Sequence, residues 1–189
     1  MLSKAETIRN KIVSTADDLF YRQGFNHTSF SDISKAVGIS RGNFYYHFKT
    51  KDDILAAVIE SRKSSIASML EKWTLTIPKP KDRLTQFVDM IIGHEENIKK
   101  YGCPVGSVCT ELIKLKNINY SDATEMICLF RDWLVEQFER LDYNTEKSEH
   151  LAMHILTCTQ GISLMGQAFK DSAYIIREAD DLKDWITKQ

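Results

Sequence analysis

Apolar residues recur every three or four positions along almost the whole chain, and nowhere do they alternate cleanly with polar ones. That spacing is the period of a helix with one buried face, and it leaves no stretch that reads as a strand. The punctuation agrees, because eight Gly and three Pro in 189 residues are too few for the many turns of an all-β fold. The expectation is an all-α chain with neither an internal repeat nor a low-complexity segment.

Local signals place the helices. Ser3-x-x-Glu6 is a capping box, and Ile8, Ile12, Ala16, Leu19 and Phe20 follow at helical spacing, with Gly24 as the stop. Ser29 with Asp32 starts a short helix of about 29–36 that ends at Gly38, and Ser40 caps a second of about 41–47. Two short helices joined by Val37-Gly38-Ile39 fit a helix-turn-helix. Thr50-x-x-Asp53 opens a long helix of about 51–75, and Pro78-Lys79-Pro80 is the clearest break in the chain. Helices are then expected at about 82–100, 104–115, 122–141 (capped by Ser121), 145–170 and 173–187.

Composition narrows the class. Apolar residues at 43% and charged residues at 27% exclude a disordered chain, and no apolar run reaches the length of a membrane span. The sequence Met1-Leu2-Ser3-Lys4-Ala5-Glu6 carries charge where a signal peptide has its apolar core, which predicts a cytoplasmic protein. Cys103, Cys109, Cys128 and Cys158 show no CxxC spacing and are expected to be free thiols. The net charge of -1 is unevenly spread: residues 1–51 hold eight Lys and Arg against four Asp and Glu. A basic head on an acidic body suits a nucleic-acid-binding module joined to something else.

The segment Ser40 to Phe48 carries the chemistry for such binding. A recognition helix needs polar and basic groups on one face and apolar anchors on the other. Arg41, Asn43, Tyr45, Tyr46 and His47 are donors of the kinds that reach bases or phosphates, whereas Phe44 and Phe48, four apart, suit the inner face. Gly42 lets the backbone approach a phosphate, and Thr28 and Ser29 sit where free amides of a helix start can hold one. Lys51 offers a further cation.

The string Phe25-x-x-Thr28-Ser29-Phe30-x-x-Ile33-x-x-Ala36-Val37-Gly38-Ile39-Ser40-Arg41-Gly42-x-Phe44-Tyr45-Tyr46-His47-Phe48-Lys49-x-Lys51 resembles, without a gap, the DNA-binding head of the TetR family of transcriptional regulators. The resemblance implies a three-helix head (residues 1–50) and a six-helix effector-binding and dimerising body (residues 51–189). It implies phosphate contacts from Thr28, Tyr46 and Lys51, with Ser40, Arg41, Gly42, Asn43, Tyr45 and His47 lining the groove. Ser29-Phe30 and Ser34-Lys35 depart from the usual pattern and bear on operator preference. The partners it implies are a palindromic double-stranded operator, a small-molecule effector and a second copy of the chain, with no cofactor, no membrane and no enzymatic activity. Repression is the commoner mode in this family.

Gly102-Cys103-Pro104-Val105-Gly106-Ser107-Val108-Cys109-Thr110-Glu111-Leu112 resembles a segment that recurs in a subset of these regulators, at the mouth of the effector pocket. Candidate pocket residues are Ile66, Met69, Phe87, Ile91, Cys103, Cys109, Phe130, Trp133, His154 and Cys158. Gly161, Ile162, Met165, Phe169 and Trp185 are the expected dimer face, with Gly161, Ser163 and Gly166 allowing close helix approach. Two other triggers compete with a reversible ligand. Cys103 at a helix start could sense electrophiles, and His150 with His154, four apart, could hold an ion. His94-Glu95-Glu96-Asn97-Ile98 fails as a zinc motif, because Ile98 stands where the second His belongs. A pocket between the body helices would release the DNA by moving the long fourth helix.

Overall fold

The computed structural model describes residues 3–189; Met1 and Leu2, read above as part of a charged N-terminus, lie outside them. Among the described residues there are ten helices and no strand: α1 (Lys4–Gln23), α2 (Phe30–Val37), α3 (Arg41–His47), α4 (Lys51–Thr76), α5 (Pro80–Ile92), α6 (Glu95–Tyr101), α7 (Pro104–Leu115), α8 (Tyr120–Glu139), α9 (Thr145–Phe169) and α10 (Ser172–Thr187).

Three boundaries differ from expectation, the first being that Pro80, read as part of the break, opens α5 two residues before the expected start at about 82. The single helix expected over 82–100 is two helices, α5 and α6, so seven helices rather than six follow α3. His94 leaves helical geometry at φ -120 and ψ 13, and its ring Nδ1 lies 2.8 Å from the Met90 carbonyl, where it competes for the backbone. Helix α8 begins at Tyr120, not after Ser121. The Asn117 side chain accepts the Asn119 N–H at 2.8 Å, and the Asn119 carbonyl then accepts the Ala123 N–H.

The chain divides into two compact units, and the dividing lines fall inside α4, α7 and α8. The first unit holds residues 1–65 and 107–126. Its core is built from Ile12, Ala16 and Phe20 of α1, Ile33 of α2, Phe44 of α3, Ile54 and Leu55 of α4, and Leu112 of α7, all at most 2% exposed. Burial of each Ile, Leu or Phe among them is worth about 1.5–3 kcal/mol. Polar contacts fix the α1 packing: Arg62 of α4 donates to Asp17, and the Lys11 ammonium donates to the Val37 carbonyl at the end of α2. Lys63 pairs with Glu125 of α8 at 2.5 Å.

The second unit holds residues 66–106 and 127–189. In it α10 lies against α5 and α9, and α6 lies against α9. Gly166 of α9 is needed where α10 crosses: a Cβ there would sit 2.2 Å from Ile175 Cγ1, inside any allowed contact. The close approach expected of this glycine is therefore used within the chain. Arg83 of α5 is buried and donates to the Thr74 and Ile77 carbonyls and to Gln137 Oε1, so one guanidinium satisfies the end of α4. Lys183 of α10 pairs with Asp89 of α5 at 2.7 Å.

Candidate nucleic-acid interface

Helices α2 and α3 are set by short-range chemistry. Ser29 Oγ accepts the Asp32 N–H, and Asp32 Oδ2 accepts the Ser29 N–H at 2.8 Å, which completes the capping box. Helix α2 stops at Gly38, whose φ of 77 is left-handed; open space surrounds a Cβ there, so the backbone angle is what asks for glycine. Ser40 then caps α3 by accepting the Asn43 N–H.

The two faces of α3 divide as the spacing predicts. Phe44 is 1% exposed, and its ring meets the edge of Phe30 at 5.2 Å; Phe48 just beyond the helix is buried too. Arg41, Gly42, Asn43 and Tyr45 are exposed, and Tyr46 is 73% exposed. His47 is half-buried with its ring edge against Tyr46. Tyr45 stacks on Phe30 at 5.5 Å, which orders a ring that still presents its outer side to solvent. No carboxylate lies on α3. Between α2 and α3 a hollow of about 220 Å³ is lined by Ser29, Phe30, Ser31, Ser34, Arg41, Phe44 and Tyr45. Ser29 Oγ donates to Asp32 Oδ2 and Ser34 Oγ to the Ser31 carbonyl, so Ser31 and the Arg41 guanidinium are the groups of this lining suited to an oxyanion. Ser31 was missed from the sequence, although its place beside the Ser29 cap was a usable signal.

Two of the expected contacts point elsewhere. Thr28 is 1% exposed; its hydroxyl donates to the Gly24 carbonyl at 2.7 Å and accepts from Gln23 Nε2. Its side chain closes the α1–α2 turn. The Lys51 ammonium donates to the Phe25 carbonyl at 2.8 Å and lies 4.2 Å from the centre of the Phe25 ring. These partners are spread along the sequence, which is why residue type alone suggested a free cation.

In the second unit, Phe87, Phe130 and Trp133 are brought together, with Phe87 centred 5.4 Å from Phe130 and 6.4 Å from Trp133. Trp73 joins them at 5.9 Å from Trp133, whose indole donates to Thr74 at 2.9 Å. Ile66 and Ile91 are buried and Met69 is half-buried. Cys103 Sγ accepts from the Gly106 N–H and from Gln160 Nε2, each at 3.4 Å. Cys109 belongs to the first unit, where its buried thiol donates to the Ala123 carbonyl. His154 and Cys158 form a group with Trp185: the His154 ring is 4.4 Å from Trp185, and its Nε2 lies 3.5 Å from Cys158 Sγ. Burial pushes the Cys158 thiol up from its ordinary range. His150 is exposed, and among the described residues no three His, Cys, Asp or Glu side chains cluster as metal ligands. On α9, Ile162 is buried inside the chain, Gly161 is half-buried, and Met165 and Phe169 are 41% and 71% exposed. Leu164 and Ile176, also exposed, were not foreseen.

A capped helix pair whose second helix sets an acid-free outer face over an aromatic inner face is a helix-turn-helix of the kind that enters a DNA groove. The family model described as "Bacterial regulatory proteins, tetR family" matches residues 12–58. The HTH-type transcriptional regulator in the lacX 3′ region of Lactococcus lactis subsp. lactis is 26% identical over 183 residues, 95% of this chain and 93% of that protein. The HTH-type transcriptional regulator AcrR of Shigella flexneri is 35% identical over 75 residues, 40% of this chain and 35% of its own length. Among solved structures, a TetR family regulator from Agrobacterium tumefaciens superposes with a TM-score of 0.85 at 19% identity, covering 96% of this chain and 98% of that one. A TetR regulator from Legionella pneumophila gives 0.83 at 24% identity, with 100% of this chain and 97% of that one covered. Residues 12–58 thus match the DNA-binding part of the tetR family, and the all-helical fold is that of these solved regulators. Among the described residues no helix is long and apolar enough to cross a membrane.

Proposed function

We propose that the chain is a cytoplasmic, homodimeric repressor that leaves a palindromic operator when a small molecule binds its body. Residues 1–50 are the DNA-binding part and residues 51–189 the effector-binding and dimerising part in this reading. The observation that carries it is the outward face of α3, where Arg41, Asn43, Tyr45 and Tyr46 stand exposed with no acid among them. Ser31 and Arg41 beside the hollow between α2 and α3 supply phosphate contacts. The aromatic group of Phe87, Phe130 and Trp133, with Thr74 as its polar partner, is the centre of the effector site. Met165, Phe169, Leu164 and Ile176 are exposed apolar side chains on α9 and α10 that a second copy would cover.

Selection of duplexes from a randomised pool, followed by fluorescence anisotropy across a salt series, tests this reading. A palindrome bound by two protomers, with affinity falling steeply as salt rises, is the expected result. Sequence-indifferent binding at every salt concentration would overturn it. A second trigger is favoured by the two donors aimed at Cys103 Sγ, namely covalent addition of that thiol to an electrophile. Quinone-dependent release of the selected duplex that persists in Cys103→Ser would remove this trigger and leave the reversible one.

A further inference from the structure

The α1–α2 turn is gripped from outside the helix pair. Within the turn the Gly24 N–H goes back to the Phe20 carbonyl, and the Thr28 N–H goes to the Phe25 carbonyl. The Phe25 and Asn26 N–H groups go instead to α7: each donates at 2.9 Å to one carboxylate oxygen of Glu111. The carbonyls of the same two residues face Lys51 of α4, at 2.8 Å and 3.5 Å. An acid thus holds the donors and a base holds the acceptors of two consecutive residues. Gly24 is shaped to this arrangement, because at φ 89 its Cβ position would lie 3.1 Å and 3.3 Å from the Glu111 oxygens. Helix α7 is itself anchored by the 0%-exposed Leu112 and by the Cys109 thiol on the Ala123 carbonyl. All these groups lie within the first compact unit.

We infer that Glu111 is a positioning residue for DNA recognition: its carboxylate ties the α1–α2 turn to α7 and so sets where the start of α2 is presented. The inference rests on the DNA-binding reading above and adds a route to it. A shift of α7 is delivered to the turn directly by two charge-assisted hydrogen bonds, without passing through α4. The turn leads through Thr28 to Ser29, the first residue of the hollow between α2 and α3, so a displaced turn displaces one wall of that hollow.

Amide exchange followed by NMR, together with anisotropy on the selected duplex, tests the inference in Glu111→Gln and Glu111→Ala. Glu125→Ala, which removes an acid paired with Lys63 in the same unit, is the charge control. In Glu111→Ala the Phe25 and Asn26 amides should exchange roughly tenfold to a hundredfold faster, the range that loss of a hydrogen bond to a charged group gives. In Glu111→Gln at least one of them should do so, because the side-chain amide offers one acceptor where the carboxylate offers two. Duplex affinity should fall about tenfold in both variants. The sign discriminates, because removing a negative charge near a DNA-binding surface by itself raises affinity, as Glu125→Ala should show. Unchanged exchange at Phe25 and Asn26 would overturn the tie itself. Faster exchange with unchanged or higher affinity would overturn its role in positioning. If the pool yields no specific duplex, the DNA-binding reading fails while the exchange measurement still decides the tie.

Discussion

At the scale of single residues, local hydrogen bonds and local space set the strongest constraints. Asp32 is held below the usual carboxylate range by the Ser29 side chain and then by its backbone N–H, and Asp53 by Thr50 in the same order. A carboxylate with a depressed folded pKa contributes stability above its unfolded value of about 3.9. That contribution is lost as the pH falls through the folded pKa. Thermal midpoints followed from neutral pH down to about 3 should therefore decline less in Asp32→Asn and Asp53→Asn than in the parent. Gly166→Ala tests the α9–α10 crossing. The new methyl meets Ile175 at 2.2 Å and 2.5 Å, so denaturant unfolding should show a loss of about 1–3 kcal/mol. Shortening the facing residue, in Gly166→Ala/Ile175→Val, should return part of it.

At the scale of elements, α3 shows how seven residues serve two purposes. Its inner face is structural: Phe44→Ala should cost about 3–5 kcal/mol in denaturant unfolding, since a fully buried ring is replaced by a cavity. Its outer face is free of that duty. Tyr46→Ala, at a side chain 73% exposed, should change stability by no more than about 0.5 kcal/mol. Its effect belongs in anisotropy, where about a tenfold loss of duplex affinity is expected. Arg41→Ala should weaken binding and also flatten the salt dependence by about one phosphate contact. This division was legible beforehand because Phe44 and Phe48 repeat at helical spacing and Ser40 lies three residues from Asn43. The break between α5 and α6 was not. His94 and Gly93 carry no proline-like signal, and the apolar period of Ile91, Ile92 and Ile98 runs across the gap.

At the scale of the whole molecule, the exposed apolar side chains on α9 and α10 ask for a partner. A stable two-fold interface buries about 1,200–2,000 Å², more than one or two side chains supply. Met165, Phe169, Leu164 and Ile176 are therefore expected to be covered together. Phe169→Asp places a charge on a side chain 71% exposed in the single chain, so the fold should survive. Sedimentation should then report a monomer, and binding to a palindrome should collapse with it. A dimer that persists in this variant would place the interface elsewhere. Ile162 has no part in this expectation, since its side chain is already buried inside the chain.

The sequence alone settled the helix starts, stops and faces that standard local patterns encode, though not every local contact: the break at His94 was missed. The capping boxes at Ser3, Ser29 and Thr50, the left-handed stop at Gly38 and the two faces of α3 all join partners three or four positions apart, where helix geometry alone fixes who meets whom. The tertiary structure alone decided which polar side chains are spent on holding the chain. Lys51 looked like a phosphate ligand until the turn at Phe25–Asn26, 26 and 25 residues earlier, came within its reach. Glu111 acquired its partners from 85 and 86 residues away. A side chain's type states what it can bond to, but its partner is chosen by packing, and packing joins residues whose separation along the chain carries no signal.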